Sequence, residues 1–130
     1  MGLAEKRLAQ EIQNDKLPTF ESEIKDIAGY DIKVDIDWNT FTAYDTYPLS
    51  RLDIVFSDLK GFLKKICVDD MGKEALKEKM SAIKLTNIEN ADDIAMEFNG
   101  DVFDLKVKLV GDSFSAYSDS QLASYVEGQL

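Results

Sequence analysis

The chain has 130 residues, 45% of them hydrophobic, with 25 acidic against 15 basic side chains, no histidine and one cysteine. Without histidine, catalytic triads, histidine-bearing zinc sites and facial-triad iron sites are out of reach. One thiol forms neither an internal disulfide nor a two-cysteine metal knuckle, which points to a reducing compartment.

The length and apolar fraction suffice for one core and predict a single domain over residues 1–130. Leu8 and Ile12, then Phe20, Ile24, Ile27 and Ala28, recur at helical spacing up to Gly29, a residue suited to the position past a helix end. Pro18 interrupts this stripe and the apolar phase shifts there, which predicts a break and a semi-detached N-terminal helix over residues 1–17. From Tyr30 the period falls to two: Ile32, Val34, Ile36 and Trp38 alternate with Asp31, Lys33, Asp35 and Asp37, the pattern of a half-buried strand.

The connection NTFTAYDTYP reads as an aromatic loop. Beyond it Leu52, Val55, Phe56, Leu59, Phe62, Leu63 and Ile66 mark an amphipathic helix that ends near Asp69 and belongs at the centre of the core. Asp69 or Asp70 is placed to cap a second, more polar helix through about Met80. Residues 83–88 form a weaker strand, followed by the turn-prone ENADD. Asn99-Gly100 suits a two-residue hairpin turn, which would set Phe98 opposite Asp101, Met96 opposite Phe103 and Ile94 opposite Leu105. Ser118 with Gln121 has the spacing of a capping box ahead of Leu122, Val126 and Leu130 on a terminal helix.

The order is therefore α-β-α-α-β-β-β-α, an α+β chain in two layers. The expected sheet has about four strands, mainly antiparallel, with the last three as a meander and helices packed on one face. Whether the first strand joins an edge or enters between others is open. An exposed edge would also offer a second subunit a place to pair, giving a homodimer.

Charge is unevenly spread. Residues 1–59 hold 12 acids and 6 bases, residues 60–84 hold 4 acids and 7 lysines, and residues 85–130 hold 9 acids and 2 lysines. With only two arginines and a net charge of −10, nucleic acid is an unsuitable partner and a basic protein the favoured one. No segment approaches membrane-spanning length, and the opening MGLAEKRLAQEIQ lacks the apolar stretch of a secretory signal, so no membrane partner and a cytoplasmic location are expected.

Glycines stand no closer than 11 positions apart, as at Gly61 and Gly72, so a phosphate-cradling loop is absent and no cofactor is implied. Cys67, beside Ile66 on the central helix, reads as a small buried hydrophobe. The remaining reactive groups are carboxylates. Asp35 and Asp37 share one strand face about 7 Å apart, and with an acid on a neighbouring strand they would hold a divalent ion or act as an acid/base pair. The plainer reading is the solvent face of a sheet. Asp92 and Asp93 lie where a turn favours short polar side chains.

Trp38, Phe41, Tyr44 and Tyr47 fall within ten residues, and polar-tipped aromatics are frequent at interfaces. Phe41, Tyr44 and Tyr47 are therefore the candidate binding residues, whereas Trp38 is in phase with the strand and expected to seal the core. Leu3, Leu8 and Ile12 make an amphipathic end segment that packs on its own chain or on a second subunit.

The opening AEKRLAQEIQNDKLPTFESEIKDIAGYDIKVDIDW, about a quarter of the chain, resembles the start of small bacterial proteins of unknown function, some of them carried on mobile gene cassettes. The resemblance implies a small bacterial cytoplasmic protein and transfers no site residue. Three readings follow: a noncatalytic interaction protein, such as an immunity or antitoxin-like inhibitor; a small-ligand module with an aromatic-lined pocket; and a carboxylate-dependent enzyme using Asp35 and Asp37.

Overall fold

The computed structural model describes residues 2–43 and 46–130. The helix at the N-terminus does not break at Pro18. Helix α1 (Leu3–Glu11) passes into a π-helical stretch (Ile12–Lys16) and on into α2 (Leu17–Ala28). In a regular helix a proline ring collides with the carbonyl four residues back. Here that carbonyl belongs to Asn14, inside the π stretch, where the Leu17 N–H reaches back five residues to Ile12 O. The wider turn also absorbs the phase drift, since the eight residues from Ile12 to Phe20 leave about a fifth of a turn in α geometry. Ala9 and Ile12 consequently share one buried cluster with Phe20, Ile24 and Ala28.

Strand β1 (Lys33–Ile36) leads to two short helices, α3 (Trp38–Thr42) and α4 (Tyr47–Ser50), where an irregular loop was expected. The Asp37 carbonyl starts the first by accepting from Thr40 N at 3.0 Å and Thr40 Oγ1 at 2.7 Å, and Pro48 sits in the first turn of the second. Helix α5 (Leu52–Ile66) buries Val55, Phe56, Leu59, Phe62, Leu63 and Ile66 along one stripe. Phe56 stacks on Phe20 with ring centroids 4.2 Å apart, and Phe62 meets Phe103 of the sheet at 5.9 Å. Asp69 caps α6 (Asp70–Lys79), accepting from Gly72 N at 2.8 Å. The Tyr30 hydroxyl donates to Met80 O at 2.7 Å, tying the end of α2 to the end of α6. Burial, with a lesser push from Cys67, holds that hydroxyl well above its ordinary range, so it remains a neutral donor.

The sheet departs from the expected meander. Strands β2 (Ala82–Asn87), β3 (Ala95–Asn99) and β4 (Val102–Val107) lie in the order β1-β2-β4-β3. Pairings β1–β2 and β2–β4 are parallel and only β3–β4 is antiparallel. The sheet is thus mixed, not mainly antiparallel, with β1 at one edge. The physical reason lies in the strands' apolar faces. Phe103, Leu105 and Val107 on β4 are fully covered, whereas β3 offers only Met96 and Phe98, both half-buried. The better apolar strand takes the interior place, and the chain from Ile88 to Ile94, with its 3₁₀ turn (Ala91–Asp93), carries β3 past it to the edge.

The hairpin register is also displaced. Asn99 pairs Val102, Phe98 pairs Phe103 and Met96 pairs Leu105. The turn is therefore Gly100-Asp101 in place of Asn99-Gly100. Gly100 has φ 63° and no described non-glycine residue has positive φ, which matches a type II′ turn with glycine first. The change conserves side-chain parity, so each residue keeps the face predicted for it.

Helices cover the face carrying Val34, Ile36, Ile83, Leu85, Phe103 and Leu105, and the other face is open, giving two layers. Asn87 continues the covered face in phase with Ile83 and Leu85 and is 3% exposed. Its N–H donates to Thr40 Oγ1, its Nδ2 to Thr40 O, and its Oδ1 accepts from Leu109 N, at 3.0, 3.0 and 2.9 Å. One side chain so joins α3, β2 and the segment after β4. The capping box forms at Ser118 and Gln121, and α7 (Asp119–Gln129) buries Leu122 and Val126 while leaving Leu130 exposed. Among the described residues, no helix is long and apolar enough to cross a membrane.

Candidate functional site

Asp35 and Asp37 project from β1 and its end toward a shallow depression of about 440 Å³, shared with Ile36, Trp38, Asn39 and Lys84. The position across the strand pair from Asp35, where a further acid would be needed, is occupied by Lys84. Among the described residues no three acidic or cysteine side chains gather closely enough to hold a metal ion. The depression therefore presents carboxylates alternating with a lysine.

The aromatic candidates do not come together there. Phe41 is fully buried in the core, so its ring serves packing and offers no binding surface, and Trp38 packs half-buried against the same cluster. Tyr44 lies outside the described residues. Tyr47 is exposed, and the Arg51 guanidinium lies 4.6 Å over its ring and 5.9 Å from the Phe114 ring. Arg51 Nη1 also donates to Leu109 O and Gly111 O, at 3.0 and 2.7 Å. Tyr47 thus belongs to a cationic clamp on the loop that Lys108 and Ser115 close with paired backbone bonds. Cys67 is buried; burial pushes its thiol up, and Lys73 only partly offsets this, the opposite of an activated nucleophile.

Two other open concavities carry contacts made by their own lining residues. That between the π stretch and α5 is crossed by the ion pairs Lys16–Asp53 at 3.0 Å and Lys60–Glu23 at 3.1 Å. At the outer edge of β1, Glu21 Oε2 accepts from Val34 N at 3.3 Å.

Asp58 is held above the ordinary carboxylate range by burial and then by Asp119, against a lowering hydrogen bond from the Asp119 backbone. Its cause is packing, because Gly61 lets the Asp119 side chain close on α5: a Cβ there would meet Asp119 Oδ2 at 2.7 Å. A folded-state value above the unfolded one favours the protonated form, so this site contributes most below it and opposes folding as pH rises through it. Asp58→Asn is expected to raise stability at pH 7 by less than about 1 kcal/mol, given solvent screening. The gain should shrink toward zero on acidification, as followed by thermal melting from pH 7 to pH 4; an equal effect at both ends would show that the ionised carboxylate, through its burial and the neighbouring Asp119, is not the cause.

The open sheet face is balanced, not acidic: Lys33, Lys84 and Lys106 stand among Asp35, Asp104 and Glu97. Its asymmetry lies at one end. In register across the strands the row runs Asp35, Lys84, Asp104, Glu97, leaving two like charges directly opposite at the β3 edge. Asn99 Nδ2 donates to Asp104 Oδ2 at 3.1 Å, while Asp104 Oδ1 is shielded from solvent and accepts no hydrogen bond among the described residues.

Along the same edge, on the helix side, runs an open groove of about 450 Å³ lined by Met96, Tyr117, Ser120, Gln121, Ser124 and Tyr125. The Tyr117 hydroxyl donates to Ile94 O at 3.2 Å, and Phe98 packs 6.5 Å from Tyr125 and under Lys79 Nζ at 4.8 Å. Sequence reasoning missed Tyr117, Tyr125 and the Glu97–Asp104 pair. Tyr117 lies just ahead of the capping-box helix and Tyr125 within it, three residues past Leu122, where helical spacing alone does not distinguish a groove wall from core packing, and the acid pair depends on the corrected register. No protein-family model matches the chain, and neither a curated protein nor a solved structure is similar to it.

Proposed function

We propose that this chain is a noncatalytic protein-interaction protein that binds a basic protein partner, as an immunity or antitoxin-like inhibitor would. The observation that supports it best is the like-charge pair Glu97 and Asp104, in which Lys84 faces Asp104 from the inner side and Glu97 stands outermost at an open strand edge, with Asp92 and Asp93 just ahead of β3 in a chain of net charge −10. Opposite charge speeds encounter and selects partners, and that contribution fades as salt screens it. A small-ligand reading draws less support, since the concavities are open and two of them are spanned by ion pairs or a carboxylate–amide bond. The carboxylate-enzyme reading lacks the further acid beside Asp35.

The test is affinity capture from the native host at low and high salt. A stoichiometric partner with a basic surface, whose association rate falls at least about tenfold between 50 and 500 mM salt, is the expected outcome. A partner that is acidic, or whose association ignores salt, would overturn the reading, as would recovery of none.

A further inference from the structure

We infer that the outer edge of β3 takes up an extended segment of the basic partner as a fifth strand, with apolar side chains toward α7 and a lysine or arginine opposite Glu97. The inference rests on the basic-partner reading and assigns its surface and mode.

The backbone pattern comes first. In a hairpin with a two-residue loop the residues flanking the loop exchange hydrogen bonds, here Asn99 and Val102, and so do every second pair beyond, Glu97 with Asp104 and Ala95 with Lys106. Bonds from the other side of β4 agree, since Asp101 O and Val107 O accept from Ser81 and Ile88 of the β2 side. Met96 and Phe98 therefore turn their N–H and C=O groups outward. Ile94 has the same parity, and its outward carbonyl is the one that Tyr117 occupies. The opposite edge of the sheet differs, because Glu21 takes the outward Val34 N–H. Unpaired edges are templates for strand addition, and proteins commonly cover the ones they do not use.

Side chains on an added strand would alternate as β3 does. Residues level with Met96 and Phe98 point to the helix side, into the groove walled by Tyr117 and Tyr125. The residue level with Glu97 points to the open face and extends the row Asp35, Lys84, Asp104, Glu97. A cation there relieves the like-charge pair, and Asp101 in the turn adds to the negative field, against Lys79 and Lys106. The segment is thus apolar–basic–apolar. A second copy of this chain fits less well: Met96 opposite Phe98 of the copy would set Glu97 against Glu97, and each copy brings a net charge of −10.

Two blocked heptapeptides, one alternating valine with lysine and one alternating valine with glutamate, serve as probes in amide NMR titrations of the whole chain. The lysine peptide should shift Met96, Glu97 and Phe98, and the glutamate peptide should bind at least about tenfold more weakly. Glu97→Lys, which can pair with Asp104 and so preserves the fold, should reverse the preference. Met96→Pro removes an outward N–H at a position where edge strands tolerate proline, together with the half-buried Met96 side chain, and should abolish both, whereas Met96→Ala, which loses the side chain and keeps the N–H, should still bind the lysine peptide. Shifts confined to other surfaces, or a preference unchanged by Glu97→Lys, overturn the inference. So does edge-mediated dimerisation in sedimentation experiments. If Met96→Pro still captures the salt-sensitive native partner, the edge assignment fails while the basic-partner reading stands; if no such partner exists, both fail.

Discussion

Replacing Asn87 by alanine is expected to lower the unfolding free energy by about 3 kcal/mol, read from urea or thermal unfolding. The truncation removes the acceptor of the Leu109 N–H and a donor to Thr40 O, so the Leu109 N–H loses its side-chain acceptor at a fully buried leucine and the Thr40 carbonyl loses one of its bonds. An unsatisfied buried polar group costs about 1–3 kcal/mol, and the emptied amide volume adds a smaller cavity cost. Asn87→Leu separates the two effects, because it refills the volume and restores neither bond. It should be no more stable than the alanine variant; recovery to within about 1 kcal/mol of the parent would show that volume, not hydrogen bonding, sets the requirement. Asn87→Asp adds a sign. Its carboxylate faces the Thr40 carbonyl, while its protonated form can donate there and still accept from Leu109. The protonated form is favoured in the fold, so that variant should regain stability as pH falls through its raised folded-state value.

Asn87 also marks where sequence reasoning stops. The strand at residues 83–88 was legible from Ile83 and Leu85, yet a polar residue in phase with them reads as a strand end, and nothing local announces a partner 47 positions away at Thr40. The same limit governs topology. Alternation told which side chains of residues 95–107 share a face, and that assignment holds although the register and the strand order both changed. Parity is a local property, whereas strand order depends on which strand buries more apolar surface, a comparison among Phe103, Leu105 and Val107 and the two half-buried residues of β3. At Pro18 the local rule was sound and its remedy nonlocal: a proline disrupts an α-helix, but a π turn lets the helix continue when both halves have a core to pack on.

The candidate site was legible in proportion to how local it is. Asp35 was placed on the correct strand face, whereas Asp37 falls just past the end of β1 at the start of α3, and Lys84 beside Asp35 comes from a parallel partner nearly 50 residues on, a neighbour that sequence does not reveal. Phe41 was chosen for its place in an aromatic run; its helix turns it into the core. The edge of β3 became visible only after β4 was seen to lie inside it, since an edge is defined by what fails to pair. The Glu97–Asp104 juxtaposition likewise requires the Gly100-Asp101 turn; the other register sets Glu97 opposite Val102 and hides the charge conflict.

The second large effect concerns two glycines within helices, for which the same substitution should have opposite signs. In a helix interior alanine is favoured over glycine by about 0.8–1 kcal/mol. At Gly128, late in α7, an added Cβ meets nothing within 4 Å, so Gly128→Ala should stabilise by a few tenths to about 1 kcal/mol, reduced by fraying. At Gly72, the third residue of α6, a Cβ would fall 1.9 Å from Ile66 O and 3.0 Å from Ile66 C. That obstacle is backbone at the end of α5, which no rotamer change can move. The first turn of α6 must withdraw, and with it the Asp69 cap at Gly72 N, itself worth about 1 kcal/mol. Gly72→Ala should therefore destabilise by about 2–4 kcal/mol despite its better propensity, combining steric strain with the lost cap. The displacement carries further, because α6 presents Leu76 O and Met80 O to the Tyr30 hydroxyl. Tyr30→Phe alone should cost about 1 kcal/mol by losing its hydrogen bonds. In the Gly72→Ala background it should cost measurably less, since the bond is already loosened, and the double-mutant cycle reads that coupling. Full additivity would place the strain at the α5–α6 junction alone, with α6 still seated on Tyr30.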